Sequence, residues 1–405
     1  MLPALRCRFT RFKVYRVARA IYWRLPQIVK EAEQGDSEVT SLLPEGLPRG
    51  TVLLSHIRGD FLNNPDRPIP NTHTNFWVAL DMAKTFLELG YRVDVISFGN
   101  HDFLPKTGYD VIIDTRYNLQ RLAPLLGREC LKILHIDTAH MLFQNAAEAN
   151  RLLDLQRRRG VTLLPVRYER PNLAIEHADC AIVCANDFTI GTYRYAGKPI
   201  YRVPIPAARL CPWPDGKDFS AARRHFLWFA SHGMVHKGLD LVLEAFAGMP
   251  EYRLTICGPV EQEPDFVKAY RKELFETPNI HLRGWIDIDS REFLDLADRS
   301  IAHVFTSASE GGAACVIETM HTGLIPIVNY ESSVDVENFG ILLKHTSVES
   351  IRESVRSIAE MPASMLEERA RRAWEHVRTH HTREHFSRVY RQTIREILRE
   401  HGRPC

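Results

Sequence analysis

With 405 residues, 45% of them hydrophobic, 25% charged and 9% aromatic, the chain has a globular composition and the length of two ordinary domains. A formal net charge of +2 creates no demand for nucleic acid or for a strongly acidic partner. The eight cysteines are scattered through apolar runs such as "CAIVC" (180–184) without paired CxxC elements, which favours reduced thiols in a cytosolic compartment and argues against a zinc site.

No window is long and apolar enough to span a bilayer, and the first residues lack the pattern of a secretory signal. Residues 1–45 instead read as a basic segment. Val14, Val17, Ala18, Ile21, Tyr22, Leu25 and Ile28 recur at helical spacing among Arg11, Lys13, Arg16, Arg19 and Arg24. Such a helix can lie on an anionic membrane surface, placing the protein peripherally on the cytoplasmic face, or it can dock on its own domain. Periodicity does not choose between these.

From residue 51 short apolar runs alternate with amphipathic segments. "TVLLSHI" predicts a buried strand, followed by a long loop rich in Asn and Pro, and "TNFWVALDMAKTFLELG" a helix stopped by Gly90. "RVDVISFG", "YDVIIDT", "LKILHIDTA", "DCAIVCA" and "PIYRVPIP" continue the strand series. Apolar strands separated by helices predict a parallel sheet covered on both faces. The Pro-rich passage 203–218 predicts a linker. Beyond it "HFLWFAS", "YRLTICG", "NIHLRGW", "IAHVFTSA" and "LIPIVN" predict a second set of strands. "KGLDLVLEAFAGM", "DFVKAYRKELFE", "SREFLDLAD" and "GGAACVIETMHT" predict the helices between them. The expectation is an α/β protein of two Rossmann-like, doubly wound domains (46–210 and 211–385) facing across a cleft, with a final helix over 386–405. Ligands belong at the carboxyl ends of the strands.

One stretch, "TSASEGGAACVIETMHTGLIPIVN" (306–329), carries chemistry. Glu310 lies in the turn between a strand and a helix, and Gly311 and Gly312 let a ligand approach the backbone closely. The unpaired amides of Gly311, Gly312 and Ala313 would face a phosphate. Glu318, eight residues on, sits about 12 Å along the helix axis and about 80° around it. That separation suits an elongated ligand with hydroxyls at both ends and phosphate between, as in a nucleotide diphosphate sugar. A capped helix with one wet glutamate is the plainer alternative. "FASHGMVHKGLDLVLEAF" then places Lys237 at a second helix start on the same cleft edge, where a lysine is a point charge for phosphate.

Together these elements resemble the retaining glycosyltransferases of the GT-B fold, family 4 in particular: an E-x7-E motif from Glu310 to Glu318, and "HKGLDLVLEAF" with Lys237. The resemblance covers roughly residues 220–360 and is only generic before them. It implies a nucleotide-sugar donor, UDP- or GDP-linked, held by the second domain, and a glycan or lipid-linked acceptor held mainly by the first. The product would belong to cell-surface polysaccharide synthesis. It also implies retention of anomeric configuration, with neither metal nor cofactor. Glu310 would meet the sugar, the following amides the phosphates, and Glu318 the ribose.

The chain departs from the pattern where family members carry Gly-Arg before the lysine, the arginine contacting the diphosphate. Here Ser231 and His232 stand there. Either His232 substitutes, or Gly233 leaves room for another basic group, or donor affinity is lower. By the same resemblance His140 is the nearest match to a histidine beside the donor sugar, although it can equally cap the next helix. Arg58, Gly59, Asn71, Thr72 and His73 in the long loop would face the acceptor. A catalytically degenerate binding subunit, a phosphorylase or a nucleotide-sugar epimerase would share the architecture.

Overall fold

The computed structural model describes residues 38–62, 64, 66–71 and 73–405. The basic amphipathic segment over 1–37 and Thr72 lie outside the described residues. The first sheet contains β1 (Thr40–Leu42), β2 (Gly50–His56), β3 (Tyr91–Ser97), β4 (Val111–Asp114), β5 (Leu131–Ile136), β6 (Cys180–Val183) and β7 (Ile200–Arg202). Its order is β1-β3-β2-β4-β5-β6-β7, with only β1 antiparallel to its neighbour. The strands are apolar on both faces because helices cover both. These are α1 (Thr74–Glu88), α2 (Asn118–Leu126), α3 (Met141–Arg159), α4 (Ala174–His177) and α5 (Asp187–Tyr193).

Residues 203–218 form no helix or strand, as the prolines predict, and lead into the second domain. Its helices are α6 (Phe219–Ala222), α7 (Leu239–Ala247), α8 (Pro264–Ala269), α9 (Arg271–Phe275), α10 (Arg291–Arg299), α11 (Ala314–His321), α12 (Val348–Glu360) and α13 (Ala363–His380). Its strands are β8 (His225–Phe229), β9 (Arg253–Cys257), β10 (Ile280–Gly284), β11 (Ala302–Phe305), β12 (Ile325–Val328) and β13 (Ile341–Leu342), ordered β10-β9-β8-β11-β12-β13 and all parallel. The single helix predicted from "DFVKAYRKELFE" is instead α8 and α9, broken at Tyr270. Tertiary contacts hold that residue: its ring stacks on Phe266, lies under the Arg159 guanidinium at 4.5 Å, and its hydroxyl donates to Glu244 Oε1 at 2.7 Å.

A last helix, α14 (Arg383–Glu400), returns to the first domain, where Phe386, Tyr390, Ile394, Ile397 and Leu398 complete that domain's core. The two crossings brace one another. Ala207 N–H donates to the His381 carbonyl at 2.9 Å, and His381 Nδ1 meets the Ile205 carbonyl at 2.8 Å. Helix α3 also reaches over: Leu155 packs into the second domain's core, Arg158 pairs with Asp240 at 2.6 Å and Arg159 with Glu273 at 2.5 Å. In each sheet the winding reverses at the first parallel strand, between β2 and β4 and between β8 and β11. Those reversals open the crevices where doubly wound sheets hold ligands.

Candidate active site

On the second-domain side, the turn after β11 brings Ser307 and Glu310 under the turn after β8. Ser307 Oγ donates to Glu310 Oε1 at 2.7 Å, and Lys237 Nζ donates to the same oxygen. All three side chains are buried. Lys237 N–H closes its own turn on the Gly233 carbonyl at 2.7 Å. Gly238 then starts α7 at φ +77°, where a Cβ would stand 2.2 Å from Thr306 Oγ1, so glycine is required and the two turns interlock. Burial alone would raise the Glu310 pKa. The charges of Lys237 and His236, with the hydrogen bonds from Lys237 and Ser307, hold it below the usual value.

Of the amides expected to face a phosphate, that of Ala313 is taken, and so is the next one along the helix. Ala313 N–H donates to the Ser332 carbonyl at 3.1 Å and Ala314 N–H to that of Gly312 at 3.0 Å. On the side where a Cβ would stand, Gly311 and Gly312 are covered. A Cβ on Gly311 would lie 2.2 Å from the Asp137 carbonyl oxygen, and one on Gly312 2.2 Å from that of Cys184. The close approach that the glycines allow is made by the first domain. Glu318 turns inward, accepting the linker amides of Ala208 and, at 3.3 Å, Arg209. Burial pushes its pKa up to about 7 against the pull of those amides and of Arg383. Ser231 is exposed and His232 half-buried, its pKa lowered by burial and then by Arg167. The next amides, of Gly233 and Met234, are occupied by the Glu263 carboxylate at 2.6 and 3.1 Å.

Opposite, the first sheet presents groups that the sequence reading missed. Arg116, just past β4, donates to Glu169 Oε1 at 2.5 Å and to Asp137 Oδ2 at 3.0 Å, and Tyr117 donates to Glu169 at 3.2 Å. His56 ends β2 and His135 lies in β5, their rings 5.7 Å apart. His56 Nε2, His135 Nδ1 and Asp137 Oδ1 are buried without a hydrogen-bond partner among the described residues. Burial holds both imidazoles neutral, His135 at about 4. The signal was available: Asp-Thr recurs at 114–115 and 137–138, at the ends of neighbouring strands.

His140 occupies a helix N-cap. It caps α3, Nδ1 accepting from Leu142 N–H at 3.4 Å, and Nε2 meets the Tyr195 hydroxyl at 3.1 Å, so both ring nitrogens are used. The loop residues divide, with His73 near enough to feel the charges of Asp137, Arg167, Arg116 and Lys237 and its pKa lowered to about 4, first by burial. Arg58 reaches back to Thr40 Oγ1 at 3.1 Å and Glu38 at 2.9 Å, away from the cleft. Gly59 leaves room for the Phe61 ring, 2.7 Å from where a Cβ would stand, and His73 caps α1 by accepting from Asn75 N–H at 3.1 Å. Asn71 does cross the cleft, donating to Asp287 Oδ1 at 3.2 Å and to Asp289. Among the described residues no three His, Cys, Asp or Glu side chains are grouped to hold a metal ion.

Two doubly wound domains, with the last helix returned to the first, make this a GT-B glycosyltransferase fold. Residues 219–375 match the model of the family described as Glycosyl transferases group 1. Among solved structures the chain is similar to sucrose-phosphate synthase from Thermosynechococcus elongatus (TM-score 0.60, 14% identity, 88% of this chain and 100% of that one). It is also similar to Anabaena HepE in complex with UDP and glucose (0.53, 14%, 86% and 99%). A third is an α,α-trehalose-phosphate synthase (UDP-forming) from Burkholderia vietnamiensis (0.56, 10%, 88% and 98%). At these identities the likeness is one of fold. No curated protein sequence matches the chain. No described helix is long and apolar enough to cross a membrane.

Proposed function

We propose that the protein is a retaining glycosyltransferase that moves a sugar from a nucleoside diphosphate to an uncharged hydroxyl acceptor without a metal ion. The observation that carries this is the buried Lys237–Glu310–Ser307 cluster at the reversal point of the second sheet, facing Asp137 at the ends of the first. Lys237 supplies positive charge where a leaving diphosphate gathers negative charge, in a site dry enough for that charge to count. Glu310 sits within reach of the same point and would accept hydrogen bonds from sugar hydroxyls once the donor divides the ion pair. Glu318, near the linker, would take the ribose.

Retention follows if the bond from the anomeric carbon to the leaving phosphate breaks while the acceptor oxygen bonds to the same face. The acceptor proton then passes to the departing phosphate oxygen, so no carboxylate dyad is needed. On the acceptor side Arg116 is already neutralised by two carboxylates. Beside it Asp137 Oδ1 and the neutral His56 and His135 rings are unsatisfied groups that suit sugar hydroxyls. UDP is the first donor base to test, since HepE was crystallised with it. A lipid-linked or cell-surface glycan and a cytoplasmic, peripheral setting fit this reading.

The test is release of nucleoside diphosphate from a panel of UDP-, GDP- and ADP-sugars in EDTA, with the anomeric configuration of any product read by proton NMR. Metal-free release, cut at least a hundredfold in Glu310→Ala with a smaller change in donor affinity, is expected. An inverted product would end the retaining reading. Tight donor binding with no release would make the protein a binding subunit.

A further inference from the structure

We infer that Arg167, a residue of the first domain, supplies the guanidinium that grips the donor's diphosphate, completing the phosphate site from across the cleft; this rests on the donor-site reading above. The turn from Ser231 to Gly238 offers little charge of its own. Ser231 is exposed, His232 is kept neutral by burial and by the neighbouring Arg167, and Lys237 is tied to Glu310. Gly233 is the opening. It adopts φ +95°, and a Cβ there would lie 2.6 Å from Arg167 Cγ and 3.1 Å from Cδ. The Arg167 stem therefore lies directly on the turn whose Gly233 carbonyl closes on Lys237 N–H.

The backbone beneath it is fixed. Arg167 N–H donates to Glu148 Oε1 and Oε2 at 2.9 and 3.0 Å, and Glu148 Oε2 stands 3.6 Å from His236 Nδ1 of the other domain. The guanidinium is different. Among the described residues it makes no hydrogen bond and no ion pair, and its Nε is buried without a partner. Three neighbouring cations have ion pairs: Arg116 with Asp137 and Glu169, Arg158 with Asp240 and Glu244, Arg159 with Glu273. Arg151 donates to the Thr306 carbonyl at 3.1 Å and keeps Nη1 unpartnered, away from the turn at Gly233 that Arg167 covers. A half-buried guanidinium held by its stem and near the Glu169 carboxylate, yet in no ion pair, is a prepared anion site, and its planar fork suits phosphate oxygens. With Lys237 on the same turn, the ligand is a diphosphate.

Calorimetric titration of the full chain in EDTA with UDP, GDP and ADP, and with the corresponding monophosphates, tests this. For the diphosphate that binds, Arg167→Met should weaken affinity at least tenfold, about 1.4 kcal/mol, while monophosphate affinity changes less than threefold. Arg167→Lys should fall between, and adding His232→Arg to Arg167→Met should restore most of the loss. If no diphosphate binds the unaltered chain, the donor-site reading fails and this assignment with it. If one binds, Glu318→Ala weakens it and Arg167→Met does not, the donor site stands and the role of Arg167 is overturned. Equal loss of mono- and diphosphate binding, with a lowered Tm, would make Arg167 a structural residue only and would equally overturn it.

Discussion

The Glu318 carboxyl is a buried acid whose pKa is raised by its surroundings from 4.5 to about 7. Because the folded value lies above the unfolded one, the folded chain keeps a proton that the unfolded chain releases. The stability from this group is fully present below pH 4.5 and is lost as pH rises through 7. Thermal unfolding at pH 5 and pH 8 should show a larger drop for the unaltered chain than for Glu318→Gln; parallel drops would contradict it. Glu263, raised by burial to about 6, contributes to both and cancels in the comparison. Lys237→Met should cost roughly 3–5 kcal/mol, since it leaves Glu310 buried with only Ser307. Adding Glu310→Gln should recover much of that in urea unfolding, because the pair is coupled. At this scale the sequence was a good guide to the turns that hold Lys237 and Glu310 and a poor one to which groups they meet. The spacing placed Glu310, Glu318 and Lys237 at the cleft. It gave no hint that Lys237 pairs with Glu310, or that linker amides occupy Glu318, because both contacts join residues dozens of positions apart.

At the scale of elements, strands and helices were legible where hydrophobic period and stop residues agreed, as from "TVLLSHI" to β2 and from Gly90 at the end of α1. The break at Tyr270 was not, since nothing local forbids a continuous helix; contacts from Arg159 and Glu244 decide it. The junction of β8, β11 and α7 depends on Gly238. Gly238→Ala combines a left-handed backbone with a Cβ 2.2–2.3 Å from Thr306. It should destabilise by more than the roughly 1–3 kcal/mol of backbone strain alone and weaken donor binding, as chemical unfolding and calorimetry would show. Gly402→Ala, also left-handed at φ +64° but with nothing within 4 Å of its Cβ, should cost only the backbone term.

Across the whole molecule the two domains lie closed on each other. The Gly311–Gly312 pair rests on the Asp137 and Cys184 backbone, while α3 and α14 cross between the halves. A doubly wound repeat was readable from alternating apolar strands, but the closure was not, because two glycines after a strand look the same whether a ligand or a neighbouring domain covers them. Gly311 has no left-handed φ, so Gly311→Ala adds a Cβ against Asp137 without backbone strain. The expected result is a cleft held open, seen as a larger radius of gyration by small-angle scattering at little cost in Tm; an unchanged radius would mean that the Asp137 loop gives way instead. The central claim, that this cleft binds a nucleoside diphosphate without metal, is tested most directly by thermal shift of the full chain in EDTA with UDP, GDP, ADP and CDP. The account predicts that at least one raises Tm and that Glu318→Ala abolishes the rise. Folded protein whose Tm moves with none of them would contradict it.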